Sequence, residues 1–498
     1  MTLLHTPGQA ASWLHSHVGG SLWTDSRKVG SGDGFIAWPG AATDGRRFVT
    51  QVLEAGATAC LVEADGLQDF AFTDARVAAY RGLKAAAAPI SAAYFDEPSK
   101  QLQIIAITGT NGKTSTAWWL AQALDKVGKK CGIIGTLGIG EPEAMIFNGL
   151  TTPDPVLLQQ QLRRFVDKGF AACALEASSI GIAEQRLDAT FIRVAVFTNF
   201  TQDHLDYHGS MQVYWDAKKK LFAWLGLEAA VLNVDDNKGV ELNALLAGSA
   251  LDVWTVSLGG PARIRADNIQ QGAKGVAFDV VEGTERLRIS TAVAGLYNVS
   301  NVLGVIAAMR ALGISLALTV KACEGLLPVP GRLETLLVEG LPMVAIDYAH
   351  TPDALEKVLV ALRPIAQGRA GRLWCVFGCG GDRDATKRPL MAAVAQKYAD
   401  QIVVTSDNPR TESAAAIISQ ILLGLTQSDS VHVEADRAVA IRHALALARP
   451  GDVVLLAGKG HESYQEIHGV KHPFSDRSHA EAALSVDPAL RRSEGVAS

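Results

Sequence analysis

Residues 102–119 read LQIIAITGTNGKTSTAWW, and the fold turns on how they are read. The run 102–107 is apolar and rich in β-branched residues, which suits a short buried strand. Thr108-Gly109-Thr110-Asn111-Gly112 carries a turn signal, and from Lys113 the pattern is helical, with Ala117 and Leu120 among its apolar positions. A strand, a glycine-containing loop and a helix whose first turn holds Gly112-Lys113-Thr114 make a phosphate cradle. Unpaired backbone N–H groups at a helix start point outward, and the helix dipole there favours an anion. Glycine lets the backbone come close to phosphate, Lys113 supplies a cation, and the Thr114 hydroxyl suits a magnesium ion. The usual spacing places a glycine five residues before Gly112, where Ile107 stands; here the glycine has moved to Gly109. An ordinary strand–turn–helix with a surface lysine is the bland alternative. It gives no reason for Gly-Lys-Thr to fall at the strand-to-helix switch.

Composition narrows the class. A chain of 498 residues suggests about three domains. With 48% hydrophobic and 19% charged residues it fits a globular protein with a large core. A net charge of -5 is too mild to call for nucleic acid or an anionic membrane as a partner. No run reaches transmembrane length, and the opening MTLLHTPGQAASWLHSHVGG lacks the basic lead and apolar core of a secretory signal. The expectation is a cytoplasmic protein, a monomer by default. Its six cysteines are expected to be reduced and to serve mostly as packing residues.

Towards the N-terminus, Asp96-Glu97-Pro98-Ser99-Lys100 reads as a linker, which sets off residues 1–98 as a first domain with strands near 35–38 and 59–62. Asp25-Ser26-Arg27 there is either a polar turn or a contact for a nucleotide-sugar pyrophosphate, since arginine forks around phosphate oxygens. Towards the C-terminus, residues 99–329 alternate strands and helices as a mainly parallel sheet does. Residues 131–136 are strand then turn, and Thr151-Thr152-Pro153-Asp154-Pro155 opens a helix ending near Asp167. A strand at 171–175 delivers Glu176-Ala177-Ser178-Ser179; another at 194–199 delivers Asp203-His204-Leu205-Asp206-Tyr207-His208. Acid- and histidine-bearing strand ends beside a phosphate loop suggest metal. Magnesium prefers oxygen and keeps its waters, so Glu176 with Thr114 and phosphate oxygens is a sensible set. Lys218-Lys219-Lys220 has the look of a solvated face, and spacing singles out none of the three.

GLYNVSN at 295–301 enters a helix running to about Leu312, and Pro328-Val329-Pro330-Gly331 is a second linker. Residues 330–498 restart the alternation, with strands near 344–346, 373–377, 402–405 and 453–456, each ending in a polar or glycine-containing loop. Those loops should crowd one edge of a single sheet, as in a dinucleotide-binding fold without its strict glycine fingerprint. The predicted class is α/β, in three domains: 1–98, 99–329 and 330–498.

Taken in order, the TGTNGKT loop, EASS, TNFTQDHLDYHG, AKKKLF, LYNVSN, PGRLE, DYAHTPD, GCGGDRD and DNPR resemble the Mur ligases along essentially the whole chain. The resemblance implies a small N-terminal α/β domain for a UDP-muramoyl substrate, a central P-loop domain for ATP, and a Rossmann-like C-terminal domain for an amino acid. It implies that Gly109, Thr110, Asn111, Gly112, Lys113 and Thr114 hold ATP phosphates, and that Asn298, Arg332 and Asp347 contact the nucleotide as the domains close. Lys113, Glu176, His204 and Lys218 would be the catalytic set. Thr114, Glu176 and His204 match magnesium positions, and Lys218 matches a lysine carbamylated by carbon dioxide, which turns a cation into an anionic oxygen ligand for a second magnesium. Ser26, Thr151, Thr152, Ser178, Glu184 and Arg186 match positions for the UDP-muramoyl dipeptide. Glu184 stands where glutamine is common, and Ile180 where histidine is common.

The activity so implied is ATP-dependent addition of meso-2,6-diaminopimelate to UDP-N-acetylmuramoyl-L-alanyl-D-glutamate through an acyl phosphate, a cytoplasmic step of peptidoglycan synthesis. Asp407-Asn408-Pro409-Arg410 matches the family's diaminopimelate signature, with Arg383, Gly458 and Glu462 in neighbouring strand-end loops. Charge agrees: arginine suits a carboxylate and an acid suits an ammonium. Lysine ends in an ammonium alone, which an arginine repels, whereas meso-diaminopimelate ends in both groups. Three alternatives stay open on residues alone: a lysine-adding ligase, a folylpolyglutamate synthetase, and a nucleotide-dependent switch or binding module.

Overall fold

In the computed structural model, which describes residues 1–40, 43–272, 275–426 and 430–485, three stretches of chain each close a sheet. The first has β1 (Thr2–Leu4), β2 (Leu22–Trp23), β3 (Gly34–Ala37), β4 (Ala59–Glu63) and β5 (Val77–Tyr80), in the order 1-5-4-3-2 and parallel throughout. β3, β4 and β5 are buried at every residue. Their apolar runs, interrupted only by Glu63 at the end of β4, are what a parallel strand covered on both faces requires.

The second sheet has ten strands: β6 (Gln103–Thr108), β7 (Cys131–Gly135), β8 (Gly138–Gly140), β9 (Ala172–Glu176), β10 (Val194–Phe197), β11 (Ala229–Asn233), β12 (Asp252–Ser257), β13 (Ile264–Gly272), β14 (Gly275–Glu282) and β15 (Glu285–Thr291). Their order is 15-14-13-12-11-10-6-9-7-8, parallel from β7 to β13 and antiparallel at both ends. Alternate residues of β6 feed opposite cores, as a side-chain period of two demands. Ile105 and Ile107 join the core under helices Lys113–Lys126 and Leu296–Ala311, while Ile104 and Ala106 pack with Leu158, Leu162 and Trp215. From β6 the chain goes to β7 on one side and later returns to β10 on the other. That reversal puts the loops after β6 and β10 around one crevice, where open α/β sheets take ligands.

The third sheet has β16 (Glu334–Leu336), β17 (Met343–Asp347), β18 (Leu373–Phe377), β19 (Gln401–Val404), β20 (Val431–Val433) and β21 (Val453–Ala457), ordered 16-17-21-18-19-20, with only β16 antiparallel. Its switch point lies between β18 and β21, so the loops after β18, β19 and β21 share one edge. A hairpin, β22 (Tyr464–Ile467) and β23 (Val470–Pro473), docks there through a bridge between Arg410 and Ile467. One passage of chain, through Pro330 and Gly331, joins the second sheet to the third.

The lysine run is not a uniform solvated face. Lys218 lies in the last turn of the helix Met211–Lys219 with its side chain inward, 1% exposed, while Lys220 is exposed to solvent. All six cysteines are free and buried. Among the described residues no helix is long and apolar enough to cross a membrane.

Candidate active site

The loop after β6 is built by the loop after β10. Thr110 N donates to Asn199 O (2.9 Å), Asn111 N donates to Asn199 Oδ1 (2.9 Å), and Thr198 Oγ1 donates to Asn111 O (2.6 Å). Gly112 has φ +85°, and a Cβ there would stand 2.5 Å from Asn301 Oδ1; one on Gly109 would collide with Thr198 Oγ1. Both glycines are therefore demanded by close approach as well as by backbone angle. No side chain caps the helix that follows, so its first N–H groups are left for an anion. Lys113 folds back, its Nζ donating to Gly109 O and Thr110 O at 2.8 Å each. Burial pushes its pKa down, against the opposing pull of Glu176.

Glu176, the last residue of β9, is the hub beside this loop. Its Oε2 accepts from Thr114 Oγ1 (3.0 Å) and Thr136 Oγ1 (3.1 Å), and its Oε1 accepts from Thr136 N (2.8 Å). Thr136 Oγ1 shares a hydrogen bond with Thr151 Oγ1 (3.0 Å). Thr152 Oγ1 donates to Glu176 O (2.7 Å) and lies 2.9 Å from Ser178 Oγ, while Arg186 donates to Thr152 O (2.9 Å). Thr114, Thr151, Thr152, Glu176, Ser178 and Arg186 are thus one connected network. Thr136 belongs to it too, and its position after an unremarkable Gly gave no sign of that in the sequence.

Glu184 sits at the edge of the network. It pairs with Lys84 (2.7 Å) from the first sheet's side and accepts from the Tyr207 hydroxyl; these two hold its pKa below the usual carboxylate value. Ser26 opens a short turn capped by Asp25. The adjoining Arg27 forks onto Asp25 (2.7 Å) rather than into the crevice.

Lys218 Nζ donates to Gly109 O (2.8 Å) and stands 4.5 Å from the centre of the Tyr214 ring. Burial, with Lys113 adding to it, drives its pKa well below the ordinary lysine value. The shift favours the uncharged amine relative to an ordinary lysine. His204 has φ +53° and its Nε2 lies 3.5 Å from Asp203 Oδ2; burial lowers its pKa to about 4, leaving a neutral imidazole. Across the crevice His350 Nε2 lies 3.7 Å from the same Asp203 oxygen.

Among the described residues no three His, Cys, Asp or Glu side chains gather into a metal cage. What is present is a buried carboxylate beside a hydroxyl, both hard oxygen donors. That set fits magnesium, which fills its remaining positions with water and phosphate oxygens.

Between the second and third sheets lies a cleft of about 580 Å³, lined by Asn111, Gly112, Asn298, Arg332, Asp347 and Lys357 among others. Arg332 Nη2 donates to Thr114 Oγ1 (3.1 Å), and its guanidinium carbon lies 4.6 Å from the centre of the Tyr348 ring. Asp347 accepts from Leu333 N (2.7 Å), and burial raises its pKa to about 6. Asn298 Oδ1 accepts from Asn301 Nδ2 (3.2 Å). Asp353 accepts from Asn111 Nδ2 (3.0 Å) and from Lys357 Nζ (2.9 Å), a contact between sheets hidden in a residue that reads as an ordinary first-turn acid.

At the third sheet's edge Arg410 has φ +52°, donates to Gly381 O (2.6 Å), and lies 3.7 Å from Glu466. Asn408 Nδ2 donates to Glu462 Oε2 (2.8 Å). Gly458 has φ +114°, and a Cβ there would collide with Asp407. Arg383 lies 3.8 Å from Asp206 of the loop after β10, so this edge meets the crevice of the second sheet. Beneath the edge, Arg437 and Asp476 form an ion pair (2.7 Å) with both side chains fully buried. Arg437 also donates to Ser406 O and Ala457 O, the residues that launch Asp407 and Gly458.

Known proteins bear on this geometry. Three family models match: residues 21–97 to the Mur ligase family, catalytic domain; residues 107–309 to the Mur ligase middle domain; and residues 331–460 to the Mur ligase, glutamate ligase domain. The chain is 57% identical to the UDP-N-acetylmuramoyl-L-alanyl-D-glutamate–2,6-diaminopimelate ligase of Acidovorax sp. (strain JS42), over 97% of this chain and 99% of that one. It is 46% identical to the protein of the same name from Janthinobacterium sp. (strain Marseille), over 97% and 98%. A solved structure bearing that enzyme name matches with a TM-score of 0.62 at 33% identity, over 93% of this chain and 94% of that one.

Proposed function

The chain belongs to the Mur ligase family, and from that premise we propose that it joins meso-2,6-diaminopimelate to UDP-N-acetylmuramoyl-L-alanyl-D-glutamate, driven by ATP. The observation that carries this reading is 57% identity to a ligase of that name along nearly the whole chain. Arg410 and the Asn408–Glu462 contact, in loops at one sheet edge, support it chemically. An arginine and a carboxylate in one pocket suit an amino acid whose far end carries both charges. A lysine-adding ligase has no use for Arg410. In this reading residues 1–98 hold the UDP end, residues 99–329 hold ATP and the dipeptide, and residues 330–498 hold the amino acid.

A carboxylate does not react with an amine at neutral pH. The substrate's glutamate carboxylate takes the γ-phosphoryl group of ATP, giving an acyl phosphate and ADP. The amine of diaminopimelate then attacks the acyl carbon, loses a proton, and expels phosphate. Such transfer is mostly positioning and charge neutralisation. The N–H groups from Gly112 onward and Lys113, released from the carbonyls of Gly109 and Thr110, hold the phosphates. Arg332 shifts its fork from the Thr114 hydroxyl to the same phosphates, and Asn298 and Asp347 hold the rest of the nucleotide.

Thr114 and Glu176 would hold one magnesium ion, and His204 with a carbamylated Lys218 a second; bound there, the ions neutralise phosphate charge. In its unprotonated form the Lys218 amine would add to carbon dioxide, forming an N–C bond and losing one proton to give the carbamate. Ser26, Thr151, Thr152, Ser178, Glu184 and Arg186 position the UDP-muramoyl dipeptide.

Phosphate release measured with each substrate omitted in turn tests the reading. Release is expected only when ATP, the dipeptide and diaminopimelate are all present, with lysine and glutamate as poor replacements. Release with ATP alone, or equal rates with lysine, defeats it.

A further inference from the structure

Lys459 is not among the residues assigned above, yet it lies at the centre of the third sheet's edge. It follows β21, and its side chain is 0% exposed. A lysine is almost never fully buried unless its charge is met. Its Nζ donates to Asn408 Oδ1 (3.0 Å), in the loop after β19, and to Glu462 Oε2 (2.9 Å). The ammonium also lies 5.7 Å from the centre of the Tyr464 ring, in the docked hairpin. Three separate segments are therefore tied by one cation.

The tie has two chemical results. Asn408 Oδ1 receives both Lys459 Nζ and Glu466 N (2.9 Å), so its Nδ2 is turned to Glu462 Oε2. A flipped amide would set two donors against an ammonium, which leaves this orientation as the one that satisfies every group. Glu462 Oε2 then carries two hydrogen bonds, while Oε1 takes none among the described residues and is left for an incoming ammonium. The second result is charge. With Lys459 in place, the carboxylate of Glu462 is balanced from beneath, and Arg410, 3.7 Å from Glu466, supplies the attraction for a carboxylate. Without Lys459 the pocket gains one net negative charge. That favours a bare ammonium and repels a carboxylate.

We propose that Lys459 is a positioning and specificity residue. It orients Asn408 and Glu462 together, and its buried charge tilts the pocket towards an amino acid ending in a carboxylate and an ammonium over one ending in an ammonium alone. The proposal rests on the reading that this edge holds diaminopimelate.

The test measures kcat and KM for diaminopimelate and for lysine in the full-length enzyme carrying Lys459→Met. The KM for diaminopimelate is expected to rise at least tenfold, and the diaminopimelate-to-lysine ratio of kcat/KM to fall at least tenfold. The KM values for ATP and the dipeptide should stay within twofold. If both amino acids lose equally and the ratio stands, Lys459 is merely structural and the proposal is overturned. Should Lys459→Met not fold, Lys459→Gln keeps a donor for Asn408 without the charge and is read by the same ratio. Arg410→Lys, run in parallel, separates the two levels. If it leaves the diaminopimelate KM unchanged, the pocket reading itself falls. If it raises that KM while the Lys459 variants keep the wild-type ratio, only the proposal falls.

Discussion

Arg332→Met is the sharpest test of a crevice shared by the second and third sheets. Arg332 comes from the start of the third unit, yet its guanidinium donates to Thr114 in the phosphate loop (3.1 Å) and stacks on Tyr348 (4.6 Å). A hydrogen bond from a charged group contributes about 1.5–3 kcal/mol. A cation over an aromatic ring adds about 0.5–2 kcal/mol. With the fork moved from Thr114 to a phosphate and the ring contact kept, and allowing for overlap, truncation removes about 2–4 kcal/mol, which at ~1.4 kcal/mol per tenfold is a loss of about 30-fold to about 700-fold. The assay is steady-state phosphate release with ATP varied and the other two substrates saturating. The loss should appear in kcat/KM for ATP, while the thermal midpoint stays close to wild type because the contact lies between units rather than in a core. Arg332→Lys, which keeps the charge but not the planar fork, should recover part of the loss. A fall of less than threefold in Arg332→Met would refute the reasoning, since the side chain would then not be engaging the nucleotide.

Three further outcomes are expected. Gly112→Ala forces a Cβ to 2.5 Å from Asn301 Oδ1 at φ +85°. With left-handed strain of about 1–2 kcal/mol besides, calorimetric titration should show ATP binding weakened at least tenfold. Asp476→Asn leaves Arg437 charged in a fully buried slot. Its unfolding free energy in urea should fall by about 3–5 kcal/mol, and the diaminopimelate KM should rise with it. Asp347 supplies the pH dependence. Its folded pKa of about 6 lies above the ordinary 3.8, so the fold favours the protonated acid. Wild-type stability from this group is full below about pH 4, is lost as pH rises through about 6, and is flat above. Asp347→Asn lacks that loss, so over this window the variant should gain on wild type by on the order of 3 kcal/mol. Urea titrations at unit steps from pH 4 to 8 would reveal a flat or reversed difference if the burial argument is wrong.

Strand ends and glycine loops were legible because they are local. Period, apolar runs and turn residues placed β6, β9, β10, β17, β18, β19 and β21 within about a residue or two, and parallel-sheet topology then forces their loops to one edge. Residues 252–291 drew no expectation, although β14 alternates in burial as a half-buried strand should. What stayed hidden depends on partners remote in sequence. Nothing near Lys218 says that Tyr214 and the carbonyl of Gly109 will enclose it while Lys220 stays outside. Nothing local marks Lys459 as buried, and Arg437 meets an Asp476 that lies 39 residues further along the chain. The Lys84–Glu184 pair lies between two sheets, where neither segment's pattern can announce the other.

The lone passage of chain at Pro330–Gly331 has a mechanical consequence. A body tethered at one point turns about it like a door, and displacement grows with distance from the pin. Arg332 stands beside that pin, and so does the loop carrying Lys459, since a Cβ on Gly331 would collide with His461 N. A turn about the pin would therefore leave both the arginine and the Lys459 loop almost in place and displace most the parts of the third unit farthest from it.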